Sequence, residues 1–256
     1  IAATVLEQNG FSPIILEATE RAGGRVKTDN INGYQLDQGF QVLLTAYPAA
    51  QKYLNFKSLE LQRFLPGAAI FKHTKQHVIG DPLRDISLIF STLFANIGTV
   101  ADKFKILRLN TKLKNKSLSD IFTTKEQSTI SYLTDFGFSA DMINDFFKPF
   151  FGGIFLEDQL QTSSRMFEFV YKMFGEGDAA VPKGGMEEIP KQLVRQLQDT
   201  SIHYNTAVTS ISEKEILLAN GTKIESDFTI IATEPSQFIS NLKNQATKWY
   251  SCDTLY

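Results

Sequence analysis

Residues 14–25 read Ile14-Ile15-Leu16-Glu17-Ala18-Thr19-Glu20-Arg21-Ala22-Gly23-Gly24-Arg25. A short apolar run ends in an acid, and a basic, glycine-rich turn follows. An acid at the carboxyl end of a strand is the residue a dinucleotide fold uses to hold an adenosine ribose through its hydroxyls. Upstream, Ile1 to Gly10 has the pattern of a helix closed by a C-terminal glycine. Helix, Gly10, strand and Glu17 together make the second half of a βαβ unit. The first half is a strand and a Gly-x-Gly-x-x-Gly loop, with the acid about 20 residues beyond the loop. Counting back from Glu17 places the last of those glycines immediately before Ile1. The chain is therefore expected to be a fragment that starts inside the motif.

The run Glu17, Ala18, Arg21, Gly23, Gly24, Arg25 resembles the hallmark of the flavin-containing amine oxidoreductase superfamily, an acid followed by Arg-x-Gly-Gly-Arg. That group includes amine oxidases, protoporphyrinogen oxidases and desaturases of the phytoene desaturase type. Two later stretches resemble the same group. Pro182-Lys183-Gly184-Gly185-Met186 precedes a helical pattern over 187–198, and Phe228 to Pro235 ends in Ala232-Thr233-Glu234-Pro235. Thr19 stands where amine oxidases often carry an arginine.

The resemblance implies an α/β fold. Its core is an FAD-binding, Rossmann-like (GR2-type) domain, incomplete in this chain, with an inserted α+β substrate domain. Residues 1–45 and 181–256 fall to the first and 46–180 to the second. The implied cofactor is FAD. It is held by Glu17, Ala18, Arg21, Gly23, Gly24 and Arg25, by Gly39, Phe40 and Gln41 near the flavin ring, by Val208 at the adenine, and by Thr233. The implied activity is hydride transfer from an apolar substrate to flavin in a desaturase-like enzyme. An amine oxidase is the alternative, and a non-catalytic or partner-binding relic of the fold is the alternative of another class. The isolated fragment is expected to be inactive. No catalytic residue stands out, because neither Lys243 nor Lys248 has a convincing context for a lysine beside the flavin.

Composition narrows the remaining choices. With 43% apolar residues in 256 and a net charge of −2, the chain can build a large core, and nothing favours nucleic acid as a partner. The lone Cys252 excludes an intrachain disulfide framework and fits a reducing, cytoplasmic setting. His73 and His77 have the i, i+4 spacing of helical metal ligands. Their neighbours alternate as in a hairpin, however, so no metal site is read there.

Asp81-Pro82 is a good helix start. The apolar stretch it opens is followed by a basic one, with Lys103, Lys105, Arg108, Lys112, Lys114 and Lys116. The commoner meaning is a core helix followed by a helix with a solvated face. The other is a peripheral membrane contact. Phenylalanines crowd between 136 and 174. Pro149 and Gly152-Gly153 are expected to break a helix there, and Phe147, Phe150, Phe151 and Phe155 to wall a pocket for a flat apolar substrate. Asn220-Gly221 between alternating strands predicts a type I′ hairpin, and Phe228–Thr233 a buried strand.

Overall fold

The computed structural model describes residues 1–39, 42–72, 75–80, 97–233 and 238. The sequence expectations for Phe40, Gln41, the helix starting at Asp81-Pro82, Lys243, Lys248 and Cys252 lie outside these residues. The chain forms two compact units, Ile1–Gln41 with Gly184–Tyr256, and Val42–Lys183.

The first unit opens with α1 (Ala2–Gln8), which ends at Gly10 in a positive-φ conformation (81°) that glycine adopts without strain. Then come β1 (Ile14–Leu16), β2 (Lys27–Ile31) and β3 (Tyr34–Gln38). Asn32 and Gly33 between the last two both have positive φ, 52° and 85°, and Ile31 pairs with Tyr34. That is the two-residue type I′ turn, whose twist matches that of the strands it joins.

The second unit begins with β4 (Leu43–Leu44), α2 (Pro48–Tyr53), β5 (Gln62–Arg63) and the hairpin β6 (Gly67–Lys72) and β7 (Lys75–Gly80). Its further helices among the described residues are α3 (Val100–Lys114), α4 (Leu118–Thr123), α5 (Thr129–Asp135), α6 (Ala140–Met142), α7 (Lys148–Phe155) and α8 (Ser164–Glu176). It closes with β8 (Ala179–Val181), which pairs with both β4 and β5. Back in the first unit stand α9 (Glu188–Arg195), β9 (Ser201–His203), β10 (Val208–Ile211), β11 (Glu215–Leu218) and β12 (Lys223–Glu225).

Thr99, Ser117, Ser128 and Ser139 cap helix N-termini, each accepting from a backbone N–H three residues on. Asp102 and Asp120 complete capping boxes. Asp102 does more, because its fully buried carboxylate also accepts from the Ser139 N–H (2.9 Å) and hydroxyl (2.6 Å). It thereby ties the start of α3 to the start of α6.

The core of the second unit is largely aromatic. Phe147, Phe151 and Phe167 are fully buried with Leu109, Leu113, Leu133 and Leu160. Phe151 and Phe167 meet edge to face at 4.7 Å, the arrangement ring quadrupoles favour. One side of α8 is polar yet buried. Lys172 Nζ donates to the carbonyls of Leu113 (2.8 Å) and Lys114 (3.2 Å) at the C-terminus of α3, whose last carbonyls have no helical partner. Glu168, 2% exposed, pairs with Lys116 and lies 3.6 Å from Lys112.

Three sequence expectations are corrected here. Pro149 does not break the helix. It sits in the first turn of α7 after a π-helical turn, Ile143–Phe147, and α7 runs on through Gly152 and Gly153 to Leu156, a left-handed cap (φ 55°). Ala140–Met142, the π-helical turn and α7 follow one another without a gap, so the proline lies inside one helical run, and the π-helical turn just before it is where its missing N–H is accommodated. At Asn220-Gly221 only Gly221 has positive φ (84°), and Leu218 and Thr222 close a three-residue loop. This is a type I turn with a glycine bulge, not type I′. Phe228 to Thr233 forms no strand, and Phe228 and Ile230 are 92% and 63% exposed. Apolar sequence alone does not make a strand; its N–H and C=O groups need a neighbour to pair with, and no described strand offers one.

Candidate functional site

β1 and β9 run parallel, Ile14 opposite Ser201 and Leu16 opposite His203. Beyond the last pair the backbones stay joined. Glu17 N–H donates to the His203 carbonyl (2.9 Å), Thr206 N–H to the Glu17 carbonyl (2.8 Å), and Asn205 N–H to the Thr19 carbonyl (2.9 Å). Glu17 and Ala18 thus sit at the carboxyl ends of parallel strands, the edge at which α/β sheets bind ligands. Val208 follows two residues after the last of these rungs.

The Glu17 carboxylate is fixed by its own chain. Its Oε1 accepts from the Thr19 N–H (2.8 Å) and the Thr19 hydroxyl (2.6 Å). Oε2 has no protein donor among the described residues, so one acceptor oxygen remains open on an oriented, half-buried side chain. Thr19 carries this role and was missed from the sequence, where it read only as the absence of an arginine. Its signal was visible: Thr two residues after an acid is the spacing of a short side-chain-to-backbone turn.

The glycine turn is sterically determined. Gly23 has φ 123°, and a Cβ on it would lie 2.4 Å from the Val26 carbonyl oxygen and 3.1 Å from Pro190. Gly24 has φ 56°. Gly39 has φ 76°, and a Cβ there would lie 2.3 Å from the Arg25 carbonyl oxygen. The backbone after β3 therefore lies directly against the arginine turn. Ala18, Gly24 and Arg25 are exposed. Arg21 faces inward, donating to Asp29 at 2.8 Å and lying 3.5 Å from Glu187. Its hydrogen bond to Asp29 raises the guanidinium pKa and holds the Asp29 carboxyl below its ordinary range. Arg21 is thus an anchor of the turn.

The turn before α9 docks on the same hairpin. The Thr28 hydroxyl donates to Asp37 (2.5 Å) and accepts from the Glu187 N–H (3.0 Å). Thr28 N–H donates to the Glu187 carboxylate (3.3 Å), and Met186 N–H to Asp37 (2.9 Å). Gly185, at φ 89°, passes so close that a Cβ would lie 2.4 Å from Thr28. On the far side, Glu7 of α1 accepts from Gln198 N–H, Asp199 N–H and the Thr200 hydroxyl, which leads into β9. The Thr200 hydroxyl bond is the largest influence holding the Glu7 carboxyl below its ordinary pKa.

The structure brings together Glu17, Ala18 and the approach to Val208, and separately Arg21, Gly23, Arg25 and Gly39. Thr233 is exposed and joins neither group. The four expected pocket phenylalanines belong to the second unit, and two of them do not wall a pocket. Phe147 and Phe151 are 0% and 1% exposed, core side chains with no open face. Phe155 packs partly buried on that core. Phe150 lines a cleft of about 400 Å³, with Phe146, Pro149 and the β6 residues Ala68 to Phe71. Among the described residues no cluster of His, Cys, Asp or Glu could hold a metal ion, and no helix is long and apolar enough to cross a membrane.

A family model described as flavin containing amine oxidoreductase matches residues 1–246. The fold is shared with several solved structures. Putrescine oxidase bound to putrescine is 19% identical at a TM-score of 0.60, over 93% of this chain and 57% of that one. Cyclohexylamine oxidase from Brevibacterium oxydans is 15% identical at 0.60, over 93% and 56%. An oxidoreductase from Methanosarcina mazei is 18% identical at 0.62, over 88% and 54%. The chain thus spans little more than half the length of these structures. No curated protein sequence matches it.

Proposed function

The chain belongs to the flavin-containing amine oxidoreductase family, and from that premise we propose that it forms part of an FAD-dependent oxidoreductase whose cofactor is held by the unit made of residues 1–41 and 184–256. One observation carries the reading: Glu17 stands at the carboxyl end of a parallel strand pair, oriented by Thr19, with one carboxylate oxygen open. That oxygen suits a ribose hydroxyl. The turn at Gly23-Gly24, exposed at Gly24 and Arg25, suits a phosphate. Gly39 lets backbone lie close to that turn, and Val208 follows the strand end opposite Glu17. Arg21, Asp29, Thr28 and Glu187 keep the turn in shape. FAD, when bound, supplies the hydride acceptor.

For the substrate we propose an apolar molecule, oxidised in a desaturase-like reaction and met at a membrane surface. The residues of Val42–Lys183 would bind and orient it, with Phe150 in the cleft beside β6. A second reading, oxidation of an amine, draws support from the putrescine and cyclohexylamine oxidases that share the fold. Anaerobic mixing of the FAD-loaded complete enzyme with panels of each class separates the two. Bleaching of the flavin by apolar compounds supports the first, and bleaching by simple amines alone overturns it in favour of the second.

A further inference from the structure

We propose that the outward side of α3 is a docking surface for an anionic lipid bilayer. Val100, Phe104 and Leu107 are 69%, 68% and 44% exposed. Their spacing of four and three residues makes them a single stripe, which Thr111 continues. At 100° per residue, Lys103 and Lys114 flank the stripe on one side and Arg108 on the other, while Lys112 and Lys105 lie further round, toward the core. The opposite side is core: Leu109 and Leu113 are 0% and 1% exposed, and Asp102, the helix's one acid, is fully buried there.

The helix therefore has two apolar sides. One is held by the protein and the other is ringed by cations. Single exposed apolar residues are ordinary. A row of three, flanked by Lys103, Arg108 and Lys114 on a helix that exposes no acid, is the arrangement that seats an apolar stripe among acyl chains with cations at the headgroups. Lys105 and Lys112 are engaged by the protein instead: Lys105 Nζ bonds Asp102 (3.5 Å) and the Gly137 carbonyl, and Lys112 Nζ donates to the Tyr132 hydroxyl (3.1 Å) and lies 3.6 Å from the buried Glu168. A second copy of the chain is a poor occupant, because two such faces would oppose like charges. Nucleic acid is also a poor one, since the centre of the face is apolar.

The inference names the lipid-facing element of the enzyme proposed above and rests on that reading for its purpose. Vesicle binding needs neither flavin nor substrate, so its failure leaves the flavin assignment standing. The test is co-sedimentation of the chain with vesicles of phosphatidylcholine, alone or mixed with phosphatidylserine, at low and high salt. Two double variants alter only exposed side chains: Phe104→Ser with Leu107→Ser, and Arg108→Gln with Lys114→Gln. Thermal melting by circular dichroism confirms that they fold. The expected result is binding to the mixed vesicles only, weakened by salt, and reduced about tenfold by each pair. Equal binding to neutral vesicles overturns the proposal. So does full binding by the serine pair, which would mean charge adsorption alone, or binding to duplex DNA in place of vesicles.

Discussion

Thr28 and Glu187 exchange two hydrogen bonds although 159 residues separate them: Thr28 N–H donates to the Glu187 carboxylate, and Glu187 N–H donates to the Thr28 hydroxyl. Both residues are buried, at 3% and 3% exposure. The pair joins the hairpin after the arginine turn to the turn that starts α9. Two stretches that resemble one family in sequence are therefore one piece of structure.

Thr28→Val should leave the Glu187 N–H without an acceptor and remove one of the donors to Asp37. A loss of about 2 kcal/mol is expected, the cost of stranding buried polar groups. Thr28→Ser should retain most of the stability. Urea unfolding midpoints of the two variants check this, and equal midpoints for Val and Ser would refute it.

Gly185→Ala tests the same junction from the other side. The added methyl would lie 2.4 Å from Thr28, on a residue at φ 89°. Destabilisation above about 1 kcal/mol is expected, from the backbone conformation and the collision together. Gly10→Ala shares the positive φ but meets nothing within 4 Å. Thermal melts of the pair should rank Gly185→Ala as the less stable.

Asp102 gives a pH dependence with a definite sign. Burial alone would raise its pKa, but hydrogen bonds from the Ser139 hydroxyl and from the Thr99 and Ser139 N–H groups outweigh it and hold the carboxyl well below its usual range. Its contribution is fully present above the unfolded value of about 3.9 and fades as pH falls toward the folded value. Asp102→Asn should lower stability at pH 7 and flatten the decline below pH 4. Denaturant titrations from pH 7 to pH 2.5 measure both, and parallel acid slopes for the two proteins would contradict the assignment.

How much of this was legible beforehand varies with the range of the interaction. The strand ending in Glu17 and the helix ended by Gly10 could be read because a few neighbours decide them. The turn at Asn220-Gly221 was legible as a turn but not as to type, because register chooses the type and one extra residue sits in the loop. Phe147 and Phe150 could not be told apart: everything around them is apolar, so periodicity has no contrast to use. The Thr28–Glu187 exchange was hidden altogether, since nothing local marks a threonine as the partner of a glutamate in another part of the chain.

Phe147 and Phe150 therefore make a useful pair. Phe147→Ala should cost about 3–5 kcal/mol, as for a fully buried aromatic truncated in a packed core. Phe150→Ala, at the cleft, should cost less. Unfolding midpoints give the ranking. A reversed order would place Phe150 in the core and reopen Phe147 as a pocket wall.

The central claim is that Glu17 grips the cofactor. Fluorescence titration of the complete enzyme with FAD, with Glu17→Ala and without it, tests it most directly. A charge-assisted hydrogen bond contributes about 1.5–3 kcal/mol, so the variant should bind FAD roughly ten- to a hundredfold more weakly, while its urea midpoint stays near that of the unaltered protein. Equal FAD affinity in the two proteins would contradict the account.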